Sequence, residues 1–152
     1  MASIEERLEE LKITLPEVVV AGNYLPAVRV GNLVFVSGQL PKVEGKIPFK
    51  GRVGKDLDLE GGRRAARACL INILAVLKQE LGTLGRVRRV VRLTGYINSY
   101  PGFQEQAKVM DGASDLLIEI FGDRGRHSRV SVGVVELPLG AAVEIEMIAE
   151  TG

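Results

Sequence analysis

Residues 59–81 read LEGGRRAARACLINILAVLKQEL and give the clearest structural signal in the chain. Their apolar side chains recur at steps of three and four residues, which is the spacing of one face of an α-helix. That face comprises Ala66, Cys69, Leu70, Ile73, Leu74 and Leu77. Arg63, Arg67 and Lys78 fall outside it, and Gly82 is a residue type that commonly ends helices. The pattern predicts a long helix that buries one apolar face.

Two β-type runs precede this helix, at Ala27–Val30 and Leu33–Ser37. The dipeptide Gly31-Asn32 between them suits a two-residue hairpin turn. The segment from Gly38 to Asp58 contains several Gly and Pro residues, so we expect a long loop with one short strand near Arg52-Val53.

The N-terminal residues predict a short helix followed by extended chain. Ser3 and Glu6 have the spacing of a capping box, and we expect the helix to end before Pro16. Its apolar face would contain Ile4, Leu8 and Leu11. Residues 15–21 then read as extended chain.

After the long helix, β-branched residues predict a strand at Val87–Asn98, and apolar spacing predicts a second helix at Phe103–Phe121. Two more strands are predicted at Ser128–Leu137 and Ala142–Ala149, joined as a hairpin by Pro138-Leu139-Gly140. With hairpins at both ends and helices between them, we expect a single α+β domain in which helices cover one face of one sheet.

Composition excludes several functional classes. The 152 residues are 46% hydrophobic and 26% charged, as in one soluble globular domain. The chain has 20 Lys and Arg residues and 19 Asp and Glu residues, so it lacks the excess of basic residues that nucleic-acid binding favours. One Cys and one His cannot build a zinc site of Cys and His ligands, and no Asp-rich loop suits a hard cation. We therefore predict no metal and no cofactor.

The sequence also bears on location. Its N-terminus is acidic and lacks the pattern of a secretory signal. No apolar stretch reaches the roughly 18 residues that a membrane span needs. We expect a cytoplasmic protein with no membrane partner.

Few residues suggest chemistry by themselves. There is no Gly-rich phosphate loop and no Gly-x-Ser-x-Gly turn. His127 lies in a polar turn, where a solvent-exposed histidine is the simpler interpretation. Cys69 lies on an apolar helix face, which favours a buried structural thiol.

The last two predicted strands carry the more informative charges. Arg129 opens one strand, and Glu144 and Glu146 share a face of the next. A guanidinium fork suits a carboxylate ligand, and a neighbouring carboxylate can orient a water molecule. A plain cross-strand ion pair between Arg129 and either glutamate explains the same pattern, so the residues alone leave both interpretations open.

Four segments, in this order and spacing, resemble the Rid/YjgF family of enamine/imine deaminases. They are YLPAVRVGN at residues 24–32, VSGQLP at 36–41, Arg129 followed by Leu137-Pro138, and VEIE at 143–146. The resemblance covers residues from about 22 to 149. It implies a family domain at residues 22–152, preceded by a helical and extended N-terminal extension at residues 1–21.

The resemblance implies a chorismate-mutase-like α+β fold with a mixed sheet, and a homotrimer with a ligand cleft at each subunit interface. Arg129 would hold the carboxylate of a 2-imino acid, and Glu144 would position the hydrolytic water. Tyr24 would line the pocket, and Gly38 would contact the ligand through its backbone. Ser131 stands where short family members often have Cys, and would offer its backbone carbonyl to the ligand or water.

The implied activity is hydrolytic deamination of 2-imino and 2-enamino acids to 2-oxo acids and ammonia, which limits metabolite damage. The first alternative is an endoribonuclease, an activity ascribed to some family members. The basic run Arg86, Arg88, Arg89 and Arg92 favours it, although strand alternation would place Arg89 opposite the others and a solvated strand face explains the run as well. The second alternative is a non-catalytic protein that binds small carboxylates.

Overall fold

A computed structural model describes residues 2–152 of the chain. The helices are α1 (Ile4–Glu10), α2 (Leu59–Leu81) and α3 (Gln106–Phe121). The strands are β1 (Ala27–Val30), β2 (Leu33–Gln39), β3 (Val87–Asn98), β4 (Ser128–Val134) and β5 (Val143–Thr151). The predicted order of helices and strands is confirmed, with short 3-10 turns before β3, after α3 and before β5.

The five strands form one sheet in the order β1-β2-β5-β3-β4. β3 and β4 run parallel, and every other neighbouring pair is antiparallel, so the sheet is mixed. α2 and α3 pack together on one face, and the core lies between them and the sheet. The predicted α+β fold with helices on one face is confirmed.

The long helix α2 has clear boundaries. At the start of α2, the Asp58 side chain accepts a hydrogen bond from the backbone N–H of Gly61. At its end, Gly82 terminates the helix with a φ of 83°. This conformation is easily adopted only by glycine. Cys69, Leu70 and the other residues of the predicted apolar face are fully buried.

The expected C-terminal hairpin is wrong. β4 pairs only with β3, and β5 lies between β2 and β3. The reason lies in burial: alternate residues of β5, from Val143 to Thr151, are almost completely shielded, as suits a central strand. The residues of β4 are exposed or only partly buried, as suits a strand at the edge of the sheet. Because β3 separates the two strands, the cross-strand ion pair between Arg129 and Glu144 or Glu146 does not form.

Several boundaries also differ from the prediction. β2 continues to Gln39, β4 ends at Val134 rather than Leu137, and β5 ends at Thr151 rather than Ala149. α3 begins at Gln106, because residues 100–103 form a turn in which the Phe103 N–H donates to the Tyr100 carbonyl over 2.9 Å. No strand forms near Arg52; instead Val53 makes isolated bridges to Leu57 and Ser99.

The N-terminal helix packs onto the main body. Ser3 and Glu6 form the predicted capping box, and Ile4 and Leu8 bury their side chains in the same core as α2 and α3. The Glu5 carboxylate accepts hydrogen bonds from the Thr83 hydroxyl and the Leu84 N–H, each over 2.9 Å.

The sheet face opposite the helices leaves many apolar side chains open to solvent. They include Val28, Val30, Leu33, Phe35, Val130 and Val132. A group of exposed apolar side chains on one sheet face is typical of a surface that contacts another chain. No helix within residues 2–152 is long and apolar enough to cross a bilayer.

Candidate functional site

A cavity of about 670 Å³ lies beside the end of β2. Its walls come from the extended segment at residues 16–21, from α2, and from the turn before β5. Residues around it include Tyr24, Gly38, Leu40, Asn72, Val76 and Glu144. Three residues that the family resemblance implies for the site, Tyr24, Gly38 and Glu144, therefore surround one cavity in one protomer.

Gly38 and Glu144 are in close contact. The register between β2 and β5 shifts after Val36, so that β2 bulges at Gly38. A Cβ atom on Gly38 would lie 2.5 Å from Oε2 of Glu144, nearer than any side chain tolerates. Glycine at this position leaves open the space that the glutamate carboxylate occupies, and a side chain here would displace the carboxylate.

The Glu144 carboxyl group is half-buried. Burial raises its pKa above the ordinary value of 4.5, and the negative charge of Glu146 on the same face of β5 raises it further. A carboxylate whose pKa moves toward neutrality is a better general base than an ordinary surface glutamate.

Two large side chains beside the cavity are exposed, and the backbone of one of them is strained. Tyr24 is 53% exposed, and Leu139 is 65% exposed. Leu139 also has a φ of 59°, in the left-handed region that a leucine seldom adopts. Such strain tends to occur at functional sites.

Asn72 contributes to the site but was not predicted. Its side-chain N–H groups donate to the backbone carbonyls of Leu40 over 2.9 Å and Lys42 over 3.1 Å. These bonds attach the loop after β2 to α2 and fix one wall of the cavity. A polar residue at the margin of the apolar face of α2 was the only sequence signal.

Arg129 lies elsewhere in the protomer. Its register partner on β3 is Leu93, which is buried beneath the helices, whereas Glu144 pairs with Tyr96 on the opposite face. β4 and β5 are two strand positions apart, or about 10 Å. Within one protomer, Arg129 and Glu144 therefore face opposite sides of the sheet and do not meet.

The Arg129 guanidinium instead packs against α3. Nη1 donates to Asp111 Oδ1 over 2.8 Å and to the Ser114 hydroxyl over 3.0 Å. Nη2 donates to the Ala107 carbonyl over 3.1 Å. The Arg129 side chain keeps 21% of its surface exposed, so part of it remains open to solvent.

His127 is not the solvent-exposed turn histidine that the sequence suggested. Its Nε2 lies 2.8 Å from the Ser114 hydroxyl, and its Nδ1 lies 2.6 Å from the Gly125 carbonyl. Burial lowers the pKa of His127 below its ordinary value, and the nearby positive charge of Arg129 lowers it further. The turn folds back onto α3, which local sequence could not reveal.

Ser131 follows Arg129 on the same face of β4. Its register partner is Gly95, whose missing side chain leaves room for Met110 of α3. The Ser131 hydroxyl is buried and makes no hydrogen bond to any atom of residues 2–152. An unpaired buried hydroxyl costs free energy, so this position has unused hydrogen-bonding capacity.

The basic run on β3 differs from the expected alternation. Register shifts lie on both sides of Val90, and Arg89 and Arg92 pair with Glu150 and Ile148 on one face of β5. The prediction that Arg89 lies opposite Arg92 is therefore wrong, because two bulges interrupt the period of two residues. The Arg86 side chain donates to the Gly152 and Leu81 carbonyls, so its role is at least partly structural.

Cys69 is a buried structural residue, as predicted. Its thiol is 3.5 Å from the Val143 carbonyl, and burial raises its pKa well above the ordinary value. Residues 2–152 contain no group of three or more His, Cys, Asp or Glu side chains that could hold a metal ion.

Comparison with known proteins places this fold and cavity in a family. The family described as "YjgF/chorismate_mutase-like, putative endoribonuclease" matches residues 5–151. The chain belongs to this family. Protein TCP17 of Trypanosoma cruzi is 43% identical over 149 residues, which cover 97% of this chain and 93% of that one. A RutC family protein of Aquifex aeolicus is 33% identical, and the match covers 84% of this chain and 88% of that one.

Solved structures agree with this assignment. A crystal structure from Shewanella oneidensis, described as a putative endoribonuclease, is 40% identical with a TM-score of 0.95, covering 98% of this chain and 99% of that one. A protein of unknown function from Agrobacterium tumefaciens is 47% identical with a TM-score of 0.91, covering 98% and 92%. TdcF of E. coli, with bound serine, is 26% identical with a TM-score of 0.65, covering 91% and 96%.

Proposed function

We propose that this protein hydrolyses 2-imino and 2-enamino acids to 2-oxo acids and ammonia. The observation that carries the proposal is the Glu144 carboxylate, which is held against Gly38 at the wall of a cavity and has a raised pKa. A carboxylate in this state can take a proton from water, which is what imine hydrolysis requires.

We further propose that the complete site forms between two subunits of a homotrimer. One protomer would contribute Tyr24, Gly38 and Glu144, and its neighbour would contribute Arg129 and Ser131. Two features support this arrangement. Arg129 lies on the edge strand β4, away from its own cavity. The uncovered face of the sheet also carries exposed apolar side chains that an oligomer would bury.

The serine bound to the related TdcF supports a small carboxylate as ligand. A 2-imino acid has the same carboxylate and the same carbon-nitrogen unit as an amino acid, with two hydrogen atoms fewer. The Arg129 guanidinium would pair with the carboxylate. The apolar wall of the cavity, which includes Leu40 and Val76, would face the substrate side chain.

The proposed chemistry needs no redox step. An enamine first takes a proton on carbon and loses one from nitrogen, which gives the imine. Glu144 then accepts a proton from water while the water oxygen bonds to the imine carbon and a solvent proton adds to the imine nitrogen, which gives a carbinolamine. Glu144 returns its proton to the amine nitrogen, the carbon-nitrogen bond breaks to release ammonia, and the hydroxyl proton passes to solvent as the carbonyl forms. One water is therefore consumed for each 2-oxo acid and ammonia formed. Fixing the carboxylate and the water about 3 Å from the carbon supplies most of the acceleration.

The test is 2-oxo acid release from freshly generated 2-aminoacrylate and from bulkier imino acids. We expect the unmodified protein to accelerate release and Arg129→Ala to lose most of this acceleration. No acceleration across the panel by folded protein would contradict the proposal, and would favour a carboxylate-binding protein if ligands still bind.

An endoribonuclease remains the second candidate, because the family description and the S. oneidensis relative carry that name. The exposed side chains of Arg88 and Arg89 are the feature of this chain that favours it. RNA cleavage that persists in Arg129→Ala protein, and that is lost in an Arg88→Ala/Arg89→Ala double variant, would support this function instead.

A further inference from the structure

A polar cluster lies between the edge strand β4 and helix α3, apart from the cavity. It joins Arg129, Asp111, Ser114 and His127 through side-chain contacts between 2.8 and 3.0 Å. Ser114 is 8% exposed, so its two contacts form in a largely buried setting. Charge-assisted hydrogen bonds of this length fix the orientation of a guanidinium group.

The direction of each hydrogen bond in the cluster follows from its chemistry. The Gly125 carbonyl can only accept, so Nδ1 of His127 donates to it. The neutral imidazole then has only an acceptor at Nε2, so the Ser114 hydroxyl donates there. The remaining lone pairs of Ser114 face Nη1 of Arg129 and accept its N–H. His127 thus orients Ser114, and Ser114 orients Arg129.

The guanidinium has five N–H groups, and the cluster uses three of them. Both hydrogens of Nη1 and one of Nη2 are paired with atoms of α3. The N–H of Nε and the second N–H of Nη2 have no partner among residues 2–152. Two adjacent donors suit the bidentate binding of a carboxylate.

We infer that Asp111 and Ser114 are positioning residues for the carboxylate-binding Arg129. They hold Nη1 on helix α3, so that the free donors are oriented before the ligand arrives. Preorganisation of this kind lowers the free-energy cost of binding, because the long arginine side chain is already ordered. His127 acts one step further away through the Ser114 hydroxyl. The inference rests on the proposed function, in which Arg129 binds the substrate carboxylate.

The test compares Asp111→Asn and Ser114→Ala with the unmodified protein, in turnover and in calorimetric binding of pyruvate. Asp111→Asn leaves a neutral acceptor in place of a charged one, and Ser114→Ala removes the hydroxyl, so each should raise KM and the pyruvate Kd by up to roughly tenfold, with a much smaller fall in kcat. Ser114→Thr keeps the hydroxyl and should restore most of the affinity. His127→Ala should weaken binding in the same direction by a smaller factor.

Asp115→Asn is the matched control. Asp115 lies one helical turn after Asp111, is exposed, and contacts Arg63 rather than Arg129. Its substitution should leave KM unchanged. Asp111 is 43% exposed, so Asp111→Asn should keep its melting temperature even if Ser114→Ala does not.

The possible outcomes distinguish failure of the positioning role from failure of the proposed function. If Arg129→Ala abolishes pyruvate binding while Asp111→Asn and Ser114→Ala both bind normally, the positioning role is wrong and the proposed function stands. If Arg129→Ala turns over imino acids and binds pyruvate like the unmodified protein, Arg129 does not bind the carboxylate, so the positioning role and this part of the proposed site fail while imine hydrolysis itself stands. Absence of both turnover and pyruvate binding in the unmodified protein overturns both.

Discussion

At the residue scale, the surroundings of Glu144 depend on one missing side chain. The glutamate lies on a strand whose neighbour bulges, and Gly38 leaves the space that its carboxylate fills. The resulting burial, together with the like charge of Glu146, raises the pKa of the carboxyl group. A glutamate on an ordinary exposed strand face would have neither effect.

The raised pKa of Glu144 predicts a pH dependence. A general base works when deprotonated, so the rate should fall as the pH drops through the Glu144 pKa, at a pH above 4.5. Glu144→Gln should lower kcat about 100-fold and abolish this acid limb. Glu146→Gln is the comparison: Glu146 is exposed and bonded to the Tyr96 hydroxyl outside the cavity, so most of kcat should remain, but loss of its charge should move the acid limb to lower pH. Equal losses in both variants would contradict a special role for Glu144.

The raised pKa of Glu144 also makes the free energy of unfolding depend on pH, in a direction that can be predicted. Because the folded state binds the Glu144 proton more tightly than the unfolded state, the free energy of unfolding should fall as the pH rises from about 4.5 through the folded-state pKa. Urea unfolding at several pH values should show this contribution in the unmodified protein and its absence in Glu144→Gln.

At the element scale, the N-terminal helix is bonded closely to the rest of the molecule. Leu8 is 4% exposed in the common core, and Nη1 of Arg7 donates to the Glu119 carbonyl over 2.8 Å. α1 therefore covers the ends of α3 and of the turn before β3 rather than extending into solvent.

Removing the Leu8 side chain should therefore destabilise the whole domain. Leu8→Ala should lower the free energy of unfolding by about 2–5 kcal/mol, the usual cost of truncating a buried leucine. Glu9→Ala, at the exposed neighbouring position, should change it by less than about 0.5 kcal/mol. Chemical denaturation measures both. A Leu8→Ala variant as stable as Glu9→Ala would show that α1 is dispensable for the fold.

Sequence reasoning predicted the elements better than their arrangement. Periodicity located α2 to the residue, because it records which face the helix buries, and the β-branched residues located β3 equally well. It could not show that β5 lies between β2 and β3, since pairing between distant strands leaves little local trace. The expected hairpin, and with it the Arg129–Glu144 pair, failed for that reason.

The sequence likewise predicted only some of the residues of the candidate site. The family resemblance implied Tyr24, Gly38 and Glu144, and these surround one cavity. Asp111, Ser114 and Asn72 were missed because their partners lie on other elements and their spacing follows no motif. Contacts of this kind become visible only when the chain is folded.

At the scale of the whole molecule, the sheet separates the parts of the proposed site. Arg129 lies on the outermost strand, whereas Glu144 lies on the central strand and faces the other way. No ligand of the size of a small imino acid can touch both in one protomer. The proposed function therefore requires a site that is shared between two subunits of an oligomer.

Subunit complementation tests this requirement most directly. Arg129→Ala and Glu144→Gln proteins, each inactive alone, are denatured together in equal amounts, refolded as mixed trimers, and assayed for imine hydrolysis. A shared site is intact when one subunit supplies Arg129 and its neighbour supplies Glu144. At any one site, the first subunit carries an intact Arg129 with a probability of one half, and its neighbour carries an intact Glu144 with a probability of one half. About a quarter of the unmodified activity should therefore return. Mixed trimers that stay as inactive as either variant alone would contradict the shared site.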